Sequence, residues 1–401
     1  MANHNHPYRQ KAAGYIRYSC GILFMLFTFC YLFFLQGEIL AEAQFVYSKG
    51  VTTYNIFIGA IVITVVLQTI QWIVSLLMHL PARCHSLTYL PSMLLLAILT
   101  DVNQEAIEHF SFGPWLWIAP LTLILFALLV FLIQRFFADE IMKPFDIKSQ
   151  LYPNFIILFF LMIGVGAIPQ TTDVYHYELK TERLLLAHDY EGAATVGEKS
   201  LAASPRLTQL RMYALSKQGL LAERLFDYPQ YYGSLGLLDV ADTSALQRFT
   251  TQDICYHVGA LCGKSIHSTD RYMRLLLSVD SLYNENLADY YLCSLLLDKK
   301  LKEFSHELPR YYDLSDCITG AYDNLPRAYR EALLQISRRS DALEGKIVVD
   351  GDSLTTYSDF DMVARFRDYQ ELKSSIQDET ERINQTRRQF GHTFWWYYDY
   401  Q

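Results

Sequence analysis

GILFMLFTFCYLFFL, residues Gly21–Leu35, contains fifteen residues and no charge. A helix that crosses a bilayer needs about 20 apolar residues to span the hydrocarbon core. The charge-free window around this stretch runs from Tyr18 to Gly37. Four more such windows follow: Gly50–Ala82, Cys84–Thr100, Phe110–Gln134 and Ser149–Thr172. A bilayer offers no partner to exposed backbone groups, so each window is expected to be helical. The expected helices lie at about 18–36, 54–80, 86–100, 115–134 and 152–169. The third is the shortest, and Pro91 sits inside it. Four further apolar segments after the first argue against a cleaved signal peptide.

Charge divides the chain at the same place. Residues 1–170 carry 8 basic and 8 acidic side chains, and residues 171–401 carry 26 and 34. The second part therefore holds the whole net charge of −8. Nucleic-acid binding through phosphate neutralisation needs a basic face, and no nucleic-acid partner is expected. The reading is two domains, 1–170 in the membrane and 171–401 outside it.

Short basic flanks set orientation. The N-terminus has Arg9, Lys11 and Arg17, the second connection Arg83, and the fourth Arg135, Lys143 and Lys148. The opposite borders offer only Lys49, among Glu38, Glu42, Asp101, Glu105 and Glu108. Seven against one puts the N-terminus in the cytoplasm. Five crossings then put residues 171–401 in the periplasm of a bacterial inner membrane. The spans hold almost no ionisable groups, unlike those of most pumps. Gln68 and Gln71 are expected to hydrogen-bond between helices. Gly164 and Gly166 are expected to allow close helix packing.

Beyond residue 175 the apolar pattern keeps a helical period. Glu178–Pro205 reads as a helical hairpin, with Asp189-Tyr190-Glu191-Gly192-Ala193 at the turn and Pro205 closing the unit. Ala214, Gly219 and Ala222 occupy similar places in a second unit, with Pro229 after Phe226. Further pairs are expected over Thr251–Leu282 and Asn286–Tyr312. Ala193, Pro205, Ala214 and Ala222 are the expected packing positions. One hairpin cannot bury its own apolar face, but a stack can, and it leaves a groove. The fold class is thus all-α: a five-helix transmembrane bundle followed by a tetratricopeptide-like α-solenoid. Arg327–Arg338 reads as an amphipathic helix, Ile347–Thr356 as a short hairpin or loop, and Phe360–Gln389 as one long charged helical segment.

Tyr290–Lys299, Pro326–Leu333 and the ending Phe390–Tyr398 resemble an uncharacterised family of Bacteroidales inner-membrane proteins. The resemblance covers about the last 230 residues. It implies several membrane helices followed by tetratricopeptide-like repeats, a periplasmic placement and a Gram-negative setting. It implies no activity.

Trp395, Trp396, Tyr397 and Tyr398 form an aromatic ending. Such clusters anchor partners and membrane surfaces; alternatively, the tail folds back and caps the last repeat. Cys255, His257, Cys262 and His267 suggest zinc. On one continuous helix, however, Cys255 and Cys262 lie about 10 Å apart along the axis, too far to share an ion or a disulfide. Cys293 and Cys317 remain a candidate disulfide in an oxidising compartment. Asp350, Asp352, Asp359 and Asp361 lack calcium-loop spacing and read as a solvated loop. Asp352-Ser353-Leu354 resembles a short glycan-attachment sequence. No nucleophile elbow, phosphate loop, paired zinc histidines or dinucleotide glycines occur, so no cofactor is expected and an enzyme is disfavoured. The leading function is an interaction scaffold or adapter in the envelope, with the bilayer and another envelope protein or peptide as partners. The alternative is an envelope enzyme or transport component with its site where membrane helices meet repeats.

Overall fold

The computed structural model describes residues 6–78, 80–101, 113–136, 147–167, 173–238, 248–259, 269–279, 284–314, 324–340, 347–349, 352–354 and 360–401. The chain forms two compact units, Met1–Thr172 and Asp173–Gln401.

The first unit holds α1 (His6–Cys30), α2 (Gly37–Tyr47), α3 (Ile56–Met78), α4 (Leu90–Thr100), α5 (Trp115–Phe136) and α6 (Ile147–Ala167). A π-helical turn, Tyr31–Leu35, extends α1, and a 3₁₀ segment, Ala82–Tyr89, leads into α4. Among the described residues five stretches are long and apolar enough to cross a membrane: Gly14–Leu35, Ile56–Met78, Ala82–Thr100, Trp115–Phe136 and Ser149–Ala167. Pro91 lies in the first turn of α4, where its missing N–H breaks no helical bond. The third span is therefore intact.

The packing of this unit is inverted relative to a water-soluble domain. Trp117, Phe131, Leu77 and Phe160 face outward, while Gln71, His85, Ser86, Thr88, Ser92 and Asn154 are buried. A bilayer accepts the apolar exterior, and buried polar groups must pair inside it. Gln71, Ser86, Thr88, Ser92 and Asn154 do. Asn154 Nδ2 donates to the carbonyls of Ala82 (2.7 Å) and Gln150 (2.8 Å), and its Oδ1 accepts from Ser86 N (2.7 Å). Gln68 Nε2 donates to Gln71 Oε1, and Gln71 Nε2 reaches Thr88 Oγ1 on the 3₁₀ segment, both at 2.8 Å. Ser92 Oγ donates to Leu67 O at 2.8 Å. Gly164 and Gly166 play no such role: a Cβ at either would meet nothing within 4 Å.

The second unit opens with α7 (Asp173–Leu186) and α8 (Tyr190–Thr195), followed by α9 (Pro205–Lys217) and α10 (Leu221–Arg224). Next come α11 (Thr251–His257), α12 (Thr269–Leu277), α13 (Glu285–Leu297), α14 (Leu301–Glu307) and α15 (Arg327–Ser340). An antiparallel pair, β1 (Ile347–Val349) and β2 (Asp352–Leu354), joins Ile347 to Leu354 and Val349 to Asp352 in register. The chain ends in α16 (Phe360–Ser375), α17 (Glu379–Phe390) and α18 (Phe394–Tyr400). The single charged helix expected over 360–389 is two, because Asp378 starts a new one: its Oδ1 accepts from Glu381 N at 2.7 Å.

One device recurs. Helices end on a left-handed residue at His188 (φ 59°), Gly219 (φ 69°), Gly259 (φ 71°) and Lys299 (φ 57°). At three of them the same bond pair closes the end. Asp189 N bonds Leu184 O and His188 N bonds Leu185 O; Leu220 N and Gly219 N bond Leu215 O and Ser216 O; Lys300 N and Lys299 N bond Leu295 O and Leu296 O. This is the Schellman cap, which turns the chain sharply and lets a second helix begin at once. It makes hairpins of α7/α8, α9/α10 and α13/α14. Ala193, Ala214 and Ala222 are buried within the shared core, where a larger side chain would hold the helices apart. Pro205 differs from expectation. It is exposed and opens α9 behind the cap residue Ser204, whose Oγ accepts from Leu207 N at 3.0 Å; proline is favoured there because its missing N–H is not needed.

His188 occupies a conformation that costs a non-glycine residue about 1 kcal/mol. We expect His188→Gly to raise the melting temperature of this unit by about 2–4 °C, measured by calorimetry. The gain is net of the exposed His188 Nδ1–Tyr190 Oη bond (3.0 Å) that the change removes.

Candidate functional site

The cap at Lys299 also builds a cleft. It delivers Lys300 to the floor, where Nζ lies 2.5 Å from Asp270 Oδ2 and 3.4 Å from Asp298 Oδ2. Burial opposes the Lys300 charge, but the two carboxylates outweigh it and raise its pKa. From one wall, α12 contributes Asp270, Arg271 and Arg274; from the floor, α13 contributes Tyr291. Burial pushes the Tyr291 phenol up to about 12, so it stays protonated. From the other wall come Lys302, Glu303, His306 and Glu307 of α14, with Arg310 just beyond. Glu307 is buried and held by both its oxygens to Arg310 Nη1, at 2.8 and 3.1 Å.

The cleft has an inner recess of about 280 Å³ and an open outer part of about 680 Å³, which share Arg274, Tyr291 and Glu303. Five cationic side chains line it against three carboxylates, His306 left aside. The domain around it is net acidic, so the local field runs against the mean. Arg271 and Arg274 are exposed and form no ion pair among the described residues. Such guanidinium groups are suited to carboxylates, which they hold in two-point contact. No cluster of three metal-ligating side chains occurs among the described residues.

The residues singled out from the sequence lie elsewhere. Trp395, Trp396 and Tyr397 are buried in the core of the second unit, and Tyr398 is half-buried against it. They are not an exposed anchor. Helix α18 is instead stitched to three elements. Trp395 Nε1 donates to Glu331 O (2.9 Å) on α15, Tyr397 Oη donates to Leu297 O (2.6 Å) on α13, and Asp399 Oδ2 accepts from Tyr369 Oη (2.5 Å) and Lys373 Nζ (2.7 Å) on α16. The reading of a tail folded back on its own domain fits this burial.

Cys293 corrects a second expectation. It is a buried free thiol, 3.6 Å from Tyr329 Oη, which itself donates to Asp289 Oδ1 at 2.9 Å. It therefore forms no disulfide with Cys317, which lies outside the described residues. Cys255, by contrast, is disulfide-bonded, and the other described cysteines, Cys20, Cys30, Cys84 and Cys293, are in no disulfide. The premise of one continuous helix past Cys255 fails because α11 ends at His257 and Gly259 turns the chain. His257 joins no metal site among the described residues: its Nε2 lies 2.8 Å from Ser216 Oγ, and burial, with Lys217 nearby, lowers its pKa to about 4. Cys262, His267, Asp350 and Asp359 lie outside the described residues. Asp352 is in β2 and Asp361 in the first turn of α16.

Sequence reasoning missed the cleft because its cations come from separate helices. The one legible signal was the pair Arg271 and Arg274, one turn apart on an amphipathic segment.

Fold and cleft together define an all-helical protein, with one short hairpin, that joins five apolar helices of membrane-crossing length to a unit of capped helical hairpins. The chain belongs to the family of unknown function DUF6057, which it matches over residues 104–262 and 263–401. The match begins ahead of the last two apolar helices, so the family includes part of the membrane unit as well as the whole of the second. No curated protein and no solved structure matches the chain.

Proposed function

We propose that this chain is a membrane-anchored helical-repeat scaffold of the bacterial envelope that holds an acidic peptide segment of another envelope protein. The second unit acts outside the cytoplasm, at the inner membrane of a Gram-negative cell. One observation carries the reading: an open cleft whose Arg271 and Arg274 form no ion pair among the described residues, in a unit of otherwise negative charge. The four left-handed caps, spaced 31, 40 and 40 residues apart, support a tetratricopeptide-like stack, whose use is to present a groove. The disulfide at Cys255 supports an oxidising compartment, in agreement with the seven-to-one bias of basic flanks. The resemblance to Bacteroidales envelope proteins supports the cell type.

The test is photo-crosslinking in intact cells from Ser278, an exposed position lining the cleft. We expect discrete adducts that weaken at least fivefold when Arg271 and Arg274 are both changed to glutamate. Adducts indifferent to that reversal, or none above background, count against the proposal. A phosphatase active only outside the cytoplasm, fused after Gln401, reports the compartment independently.

A further inference from the structure

The membrane unit contains a cavity that neither its anchoring role nor the scaffold reading uses. It measures about 630 Å³ and lies between one face of α1, one face of α3 and the 3₁₀ segment. This volume falls within the ~300–1,000 Å³ typical of small-molecule sites. Its walls are apolar and open outward: Tyr18, Ile22, Met25, Trp72 and Leu76 line it and are each more than a third exposed. Its floor is polar. Gln71 and His85 are buried there, beside Gln68 and Tyr89.

The floor is closed: Gln68 donates to Gln71, and its own carbonyl oxygen is sealed from the cavity. The rim carries the charge. At the rim stands Arg17, exposed and without an ion pair among the described residues. No Asp or Glu lines the cavity, so the field there is uncompensated and positive. Arg17 is the fourth residue of its span, and Leu80 lies two residues past the end of the next one. The cavity thus sits where hydrocarbon meets water, and its apolar mouth opens toward acyl chains rather than solvent.

We infer that this cavity binds a phospholipid with an anionic headgroup, its phosphate at Arg17 and its chains along Trp72 and Ile22. A free phosphate ester could use the first contact but not the second.

Trp72 makes the idea measurable. The full-length protein is reconstituted in vesicles of neutral lipid containing a small fraction of brominated phosphatidylglycerol or brominated phosphatidylcholine. The difference in quenching between wild type and Trp72→Phe is the signal of Trp72 alone. We expect phosphatidylglycerol to be favoured about fivefold, the effect of one interfacial arginine on an anionic lipid. Arg17→Gln should abolish that preference, and Arg17→Lys should keep it, which separates lost charge from lost fold. Equal quenching by the two lipids in wild type overturns the inference, as does a preference that survives Arg17→Gln. Displacement of the brominated lipid by millimolar glycerol phosphate also overturns it, because a soluble phosphate would then suffice.

Discussion

Replacing Trp395 with alanine should remove about 3–5 kcal/mol from the stability of the second unit, the usual cost of deleting a fully buried large aromatic side chain. Trp395 is completely buried. Its ring lies 4.7 Å from that of Phe366 and 6.3 Å from that of Tyr369, and its Nε1 donates to Glu331 O at 2.9 Å. Domains have only about 5–15 kcal/mol in total, so this one change consumes much of it. Pulse proteolysis of the full-length protein across a urea series reads the loss directly. Trp396 supplies an internal contrast. Its Nε1 is buried without a partner, so Trp396→Phe removes an unsatisfied donor and should be close to neutral. Trp395→Phe instead breaks a made bond and should cost about 1 kcal/mol. If the aromatic ending served as a surface anchor, neither tryptophan would affect unfolding, and Trp395→Ala would behave like a change at Tyr256, which is 64% exposed.

That ending shows where sequence reading stops. Phe394–Tyr400 has the composition of an interface, and composition does not distinguish an interface between proteins from one within a domain. Burial depends on what lies opposite: Leu297, Glu331 and Tyr369 come from three separate helices. The membrane spans were legible for the opposite reason. Twenty apolar residues without charge have few alternatives, so a local rule decides them. The hairpins fell between these cases. Asp189, Gly219 and the small residues Ala193, Ala214 and Ala222 signalled helix pairs, but His188 and Lys299 hold the left-handed caps where a reader expects glycine. Gly259 ends the helix just past Cys255, so the axial spacing of one continuous helix does not apply to the cysteines that follow. The cleft was least visible. Lys300 pairs with Asp270, thirty positions away, and only the fold brings them together.

The second large effect concerns pH and the polar face of α15. Glu331 is buried there, with its Oε2 accepting from Phe394 N at 2.6 Å. Burial raises its pKa from 4.5 to about 7, although Arg327 at 3.6 Å, the Phe394 N–H, Arg365 and Arg330 all pull it down. In the unfolded chain this carboxyl ionises near 4.5, so between about pH 4.5 and 7 the folded state holds a proton that the unfolded state has released. Stability from this group is complete below 4.5 and fades as pH climbs through 7, by a total on the order of 3 kcal/mol. His257 works in the opposite sense: its pKa falls to about 4, so its contribution is lost as pH drops below 6.5. His392, lowered by burial and by Arg365 and Arg327, acts in the same direction as His257. The informative quantity is therefore the difference between wild type and Glu331→Gln at each pH, in which the histidine contributions cancel. Glutamine keeps an oxygen for Phe394 N and has no proton to lose. Urea midpoints of the full-length protein should show wild type losing ground to Glu331→Gln steadily from pH 5 to about pH 7 and the gap levelling off above that. Parallel curves would mean that Arg327 keeps Glu331 ionised throughout, and that Phe394 N, at the junction between α15 and α18, bonds a permanent carboxylate rather than a carboxyl that titrates near neutrality.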